Sequence, residues 1–332
     1  MNQDRLRKSP NIAVVGSTSL LGKELRQMLE DRGLPVGRLA LFETEEYAGL
    51  LQEFAEDIQI TQVVSAEALK DIDIAFFTCS PEIMQSYVAS GALFPELTID
   101  LTQTGQTGIL FLHGISGASV LRRKGYYVNP HPAAIVLGRV LSDLHNRFAV
   151  QSAAVTVLEP ASERGNAGVD ELQEQTVNLL NFQKVDNKIF QGQLAFNILP
   201  ETEAAARTEW RIGEQLTEIL GKTFPRPIIS IVQAPVFHSH VFSIFVRLLA
   251  APAPEELSEQ LRRNSHFSTA SFPGGPSPVG VVGSETIHVG RVQFLPSSDT
   301  YGLWVVADNL RIAASNAIQT AEQIMLAPAL EM

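Results

Sequence analysis

A single cysteine, Cys79, in 332 residues excludes an intrachain disulfide and any cysteine-based metal cluster. Long apolar runs are missing too. No stretch approaches the roughly 20 residues that span a bilayer, so no membrane segment is expected. Positive charge is scarce, with 25 Lys and Arg against 36 Asp and Glu and a net charge of −11. That balance argues against nucleic-acid binding, which depends on neutralising phosphates. No fixed-period repeat or low-complexity tract is apparent. Residues 1–10 are basic but lack an apolar segment behind them, which reads as a short arm and not a signal peptide. A cytoplasmic location is the corresponding expectation.

What is present points to two domains. Residues 11–16, Asn-Ile-Ala-Val-Val-Gly, form a β-branched run ending in glycine, followed by Leu20, Leu21, Leu25 and Leu29 at helical spacing. This is a strand, a tight turn and a helix. Residues 38–42, 73–77 and 97–100 read as further buried strands, with a helix over 81–91 between two of them. Alternation of this kind predicts a Rossmann-like, doubly wound parallel sheet. After about residue 150 the pattern changes. Strands are expected at 153–158, 227–231, 241–248 and 301–306, with helices at 168–180 and 209–220, which suggests an α+β second domain. A last helix over 310–325 carries Ile312, Ala313, Ala317, Ile318, Ala321, Ile324 and Met325 on one face. The boundaries expected are 1–130 with 308–332 for the first domain and 131–307 for the second.

The turn Gly16-Ser17-Thr18-Ser19-Leu20-Leu21-Gly22 sits where backbone N–H groups at a helix N-terminus hold a pyrophosphate. Ser19 stands where a middle glycine is usual, so the motif alone is degenerate, and a plain strand–helix turn would look alike. His238 and His240, two apart on an expected strand, share a face. They lack a third ligand, and no metal site is expected. Cys79 reads as a buried packing residue, Glu163 and Arg164 as a surface pair or turn, and Asp170, Glu171 and Glu174 as the wet side of a helix. Ser162 would need an activating base to act as a nucleophile.

In the order and spacing of several motifs the chain resembles the aspartate-β-semialdehyde dehydrogenases. These motifs are the glycine turn, Asn129-Pro130, Ser162 with Gly165, Pro235 to His240, Glu209-Trp210-Arg211, and Asp308-Asn309-Leu310-Arg311. The resemblance runs from Asn11 to about Gln323. It implies a dinucleotide-binding domain, with Gly16 to Gly22 and Asn309 at the cofactor, and a second domain for dimerisation and substrate. It also implies a cysteine nucleophile in Asn-Pro-Asn-Cys, where this chain has Asn129-Pro130-His131-Pro132. Pro132 has neither thiol nor backbone N–H. The family's two anion-binding arginines fall at Gln106 and Gln233, and its orienting glutamine falls at Glu159. His240 matches the proton-transferring histidine, and Arg211 keeps a basic charge. The arginine that receives the NADP 2′-phosphate falls at Glu46, next to Glu45, so NADP is disfavoured.

Three functions compete at this point. The first is a Usg-type paralogue without the family's activity: a homodimer, or a partner of an active paralogue, with NAD or NADP bound weakly or not at all. The second is an NAD(P)-dependent oxidoreductase on another small substrate, using His240 and no cysteine. The third is a homodimeric scaffold that binds no nucleotide.

Overall fold

The computed structural model describes residues 9–55, 57–104, 107–122, 124–200, 203–269 and 274–326. Most of the expected N-terminal arm (residues 1–8) and Gln106 lie outside the described residues. The chain divides into two compact units, Met1–His131 with Ala313–Met332, and Pro132–Ile312.

The N-terminal unit is built on a parallel sheet. Its strands are β1 (Asn11–Val15), β2 (Arg38–Glu43), β5 (Gln62–Val63), β6 (Ile74–Phe77), β7 (Leu97–Asp100), β8 (Ile109–Leu110) and β9 (Gly125–Val128), in the order β5-β2-β1-β6-β7-β9-β8. Every pairing between them is parallel. Strands buried on both faces must be apolar throughout, and β1 and β6 are, as Ile-Ala-Val-Val and Ile-Ala-Phe-Phe. Helix α1 (Leu20–Asp31) buries Leu25, Met28 and Leu29 on one stripe, each contributing about 2 kcal/mol by leaving water. Helix α2 (Pro81–Ala89) starts on a proline, which suits a first helical turn. From β1 the chain steps to β2 on one side and to β6 on the other. The carboxyl ends of β1 and β6 therefore flank a topological switch point, where open α/β sheets bind ligands.

A two-stranded antiparallel hairpin, β3 (Leu51–Phe54) and β4 (Asp57–Ile60), interrupts the alternation. Helix α8 (Asn309–Leu326) starts in the second unit and continues into the first. There Ala314, Ala317, Ile318, Ala321 and Ile324 join the core of Ile12, Val14, Leu41 and Ile99.

The second unit has a mixed sheet of β10 (Val150–Glu159), β11 (Ile228–Gln233), β12 (His240–Leu248), β13 (Phe267–Ser268), β14 (Ile287–Leu295) and β15 (Thr300–Ala307). Its order is β11-β10-β12-β15-β14-β13. Helices α3 (Pro132–Phe148), α5 (Glu203–Leu220) and α6 (Pro254–Arg263) cover one face, over Val155, Val157, Phe242, Ile244 and Val246. Helix α4 (Gly165–Leu180) and the short α7 (Pro278–Val281) complete the unit. On the opposite face Val241 and Val306 pack with Val281 of α7, and much of the rest is exposed among the described residues. Ile228, Ala154, Phe245 and Gly302 are paired in one row across it, and Thr156, Ser243 and Trp304 in the next. Ile228, Phe245 and Trp304 are exposed there.

Candidate functional site

In the N-terminal unit the carboxyl ends of β1, β2 and β6 converge on the glycine turn. Gly16 adopts φ +91°, and a Cβ there would lie 2.3 Å from the Cys79 backbone nitrogen. A Cβ on Gly22 would meet the Gly16 carbonyl at 2.2 Å. Both positions therefore need glycine, and the turn is as tight as phosphate-binding turns are. Ser19 at the degenerate position caps α1. Its Oγ accepts from the Gly22 N–H at 2.9 Å and donates to the Thr78 carbonyl at 3.0 Å. Thr78 in turn donates its hydroxyl to the carbonyls of Val15 and Gly16. The backbone N–H groups of Leu20 and Leu21, on the first turn of α1, donate to no protein group among the described residues. Two amides at a helix N-terminus fit a pyrophosphate. Ser17 is fully buried and accepts from Gln52 Nε2 at 2.8 Å, which ties the β3–β4 hairpin to the turn.

Glu45 and Glu46 form an exposed single turn after β2. The acid that reaches the glycine turn is Glu43, one residue beyond the strand expected at 38–42 and the last residue of β2. Its Oε1 accepts from both the N–H and the hydroxyl of Thr18, each at 2.7 Å. An acid at the end of the second strand of a βαβ unit was the available signal. Cys79 is buried, and burial, then the charge of Asp100, pushes its thiol up to about 12. It is a neutral thiol at pH 7, with none of the activation a nucleophile needs.

In the second unit Pro132 is the first residue of α3. Glu159 closes β10, and its carboxylate meets Arg164 at 3.2 Å. Gln233, at the end of β11, donates Nε2 to the Glu159 carbonyl at 2.8 Å, while its buried Oε1 has no partner among the described residues. His240 opens β12, is 1% exposed, and has Nε2 3.7 Å from Glu163 Oε1. Burial lowers its pKa to about 4, against the opposing pull of Glu159 and Asp308. The imidazole is therefore neutral at pH 7. Glu163 also accepts from Asn309 Nδ2 at 2.8 Å. Asn309 Oδ1 accepts from the Ser239 N–H, and Asn309 exchanges hydrogen bonds with the Ser162 hydroxyl. Burial raises the pKa of Glu159 and of Glu163, and lowers that of Arg211, which faces both acids. Glu209 accepts from the Ile231 N–H, joining α5 to β11. One unit thus brings together Glu159, Glu163, Arg164, Arg211, His240 and Asn309.

Several sequence expectations change here. Glu163 and Arg164 are not a surface pair: each engages the cluster, Arg164 through Glu159 and Glu163 through Asn309. His238 and His240 do not share a strand face. Residues 234–239 are irregular, and Ser239 at φ +77° breaks the alternation before β12 begins. Ser162 is held by Asn309 and has no base bonded to its hydroxyl among the described residues. Glu171 is not on the wet side of α4. It is buried, and its carboxylate accepts from the N–H groups of Lys188, Ile189 and Phe190.

Family profiles match both units. The semialdehyde dehydrogenase NAD binding domain matches residues 11–104, and the semialdehyde dehydrogenase dimerisation domain matches residues 141–312. An aspartate-semialdehyde dehydrogenase of Rickettsia conorii is 29% identical, over 96% of this chain and 99% of its own. A USG-1 protein homolog of Pseudomonas aeruginosa is 27% identical, over 95% and 97%. The crystal structure of aspartate semialdehyde dehydrogenase II of Vibrio cholerae, complexed with ASA, superposes with a TM-score of 0.85 at 25% identity, covering 96% of this chain and 98% of that one.

Proposed function

Because the chain belongs to the semialdehyde dehydrogenase family, we propose that it keeps the family's dinucleotide site and self-association while lacking its thioester chemistry. The observation that carries this reading is the proline at the nucleophile's position. By the resemblance, Pro132 at the start of α3 replaces the cysteine, and the chain's one thiol, Cys79, is buried and pushed up to about 12. A thiolate is required to attack an aldehyde carbon.

The charge balance of the second unit supports the same reading. Arg164 and Arg211 face Glu159 and Glu163, two cations against two acids. No positive charge in that group is left over to neutralise a substrate carboxylate or a phosphate, and Gln233 offers an amide where the family offers a guanidinium. A second copy of the chain is the proposed partner. The dimerisation-domain match and the exposed Ile228, Phe245 and Trp304 on one face of the mixed sheet support it. A reading in which His240 acts as base for direct hydride transfer is weaker. A base with a pKa of about 4 is poor at neutral pH.

The test is turnover of aspartate semialdehyde with phosphate and either NAD or NADP. Loss of the nucleophile predicts a rate on the order of 10⁴–10⁶ below that of an active family member. Turnover at the ordinary rate of such an enzyme overturns the reading.

A further inference from the structure

We infer that the outward face of the β3–β4 hairpin is a docking surface for a cationic protein segment that carries its own apolar side chains. This surface belongs to the N-terminal unit and is independent of the thiol, nucleotide and self-association readings above.

Register fixes which side chains share that face. Leu51 pairs with Ile60 and Glu53 with Ile58, and side chains directly opposite each other in an antiparallel pair stand on one side. Leu51 is 67% exposed, Ile58 68% and Ile60 58%. Gln52 and Phe54 point the other way. Phe54 joins the core of Ile12 and Leu29, and Gln52 Nε2 donates to the Ser17 and Thr61 hydroxyls at 2.8 Å each. Arg26 on α1 donates from Nη1 to Gln52 Oε1. The inner face is thus fastened to the unit, and the outer face presents three large aliphatic side chains to water on a fixed platform. Each of the two strands is hydrogen-bonded along one edge only among the described residues. A two-stranded sheet is marginal by itself, and a solvent face of this composition is a liability unless a partner covers it.

Charge selects the occupant. Glu53 stands within the aliphatic group, and Glu45, Glu46 and Asp57, close to it in the chain, are exposed. No lysine or arginine occurs between Arg38 and Lys70. These acids repel an anionic membrane or a nucleic acid. A second copy apposing the same face across a two-fold axis would set each acid against its own kind, in a chain of net charge −11. A segment with Lys or Arg flanking Leu, Ile or Val meets both features. Its aliphatic side chains leave water together with Leu51, Ile58 and Ile60, and its cations neutralise Glu53 and the neighbouring acids.

Fluorescence-anisotropy titration of the full chain with short synthetic peptides tests this: one alternating Lys and Leu, one alternating Lys and Ser, and one alternating Glu and Leu. The Lys-Leu peptide is expected to bind about tenfold or more tightly than either of the others. Replacing Ile58→Ser together with Ile60→Ser should weaken it about tenfold, and Glu53→Lys about fivefold. Glu255→Lys, at an exposed acid of α6, changes the net charge equally and should leave binding within about twofold. If the double variant does not fold, Glu53→Lys against Glu255→Lys decides. The inference is overturned if the Lys-Ser or Glu-Leu peptide binds as tightly as the Lys-Leu one, or if Glu53→Lys and Glu255→Lys cost the same. It is equally overturned if the Lys-Leu peptide does not bind at about millimolar concentration.

Discussion

The glycine turn after β1 and the polar cluster around Glu159 bury carboxylates by opposite means. Glu43 is held by a backbone N–H and a neighbouring hydroxyl. Glu159 and Glu163 are instead opposed by the guanidinium groups of Arg164 and Arg211, around a neutral His240. The first arrangement is made largely of main chain and survives the exchange of a middle glycine for Ser19, whose hydroxyl caps the helix. The second depends on side-chain identity, so each exchange there alters its chemistry. On the proposed function, a binding geometry written in the backbone outlasts a catalytic one written in side chains.

Restoring the sulfur is the strongest way to break this contrast. Pro132→Cys puts a thiol at the start of α3, where a helix N-terminus favours the thiolate. Turnover of aspartate semialdehyde with phosphate is nevertheless expected to stay on the order of 10⁴ below an active enzyme. Gln233 remains an amide and the two cations remain paired with acids. Full recovery by that single change would show that only the nucleophile separates this cluster from a working site.

Gly16→Ala attacks the backbone side. The new Cβ would lie 2.3 Å from the Cys79 nitrogen at a left-handed φ of +91°. Relief requires main-chain movement in β1 or β6. A loss of about 4 kcal/mol in urea unfolding is expected. A loss under about 1 kcal/mol would mean that the turn is not fixed by its glycine.

The same division governs what could be read in the sequence. Strand β7 was expected at residues 97–100 and is found there, and α1 and α8 followed from leucine and alanine spacing. These elements are set by local apolar period. The β3–β4 hairpin was not expected, because Leu51, Ile58 and Ile60 face solvent and offer no half-buried alternation. Glu171 was misread because Asp170, Glu171 and Glu174 look like a solvated stripe. Its partners lie at residues 188–190, outside the reach of any local pattern. His238 was misread because nothing in Phe-His-Ser-His announces a left-handed Ser239. Glu43 was legible by position and hidden by company: Glu45 and Glu46 are the more obvious acids, yet both are exposed.

Glu171 extends the contrast into the second unit, since it is a buried acid held by backbone donors there. Three main-chain N–H groups converge on it at 2.7–3.0 Å. Glu171→Ala strands those donors and is expected to destabilise by about 3 kcal/mol. Amide hydrogen exchange at residues 188–190 should accelerate, while exchange in β1 and β6 should not. Unchanged protection at 188–190 would show that the segment is anchored elsewhere.

His240 provides the last and smallest test, on the side-chain arrangement. Its pKa falls from 6.5 to about 4 on folding, with burial as the leading cause. Between those values the unfolded chain takes up a proton that the folded chain refuses. The stability this contributes is fully present above pH 6.5 and is lost as pH falls through about 4. From pH 7 to pH 5 the loss due to His240 is about 2 kcal/mol. Glu159 and Glu163 titrate in the opposite sense, because burial raises their pKa values and protonation relieves the folded state. The measurement is therefore a difference: urea unfolding of the native chain and of His240→Asn at both pH values. The native chain should lose about 2 kcal/mol more than the variant over that interval. Parallel losses would mean that His240 is already charged in the folded state. The cluster would then carry a positive charge beyond its two arginines, and the contrast with the glycine turn would weaken to that extent.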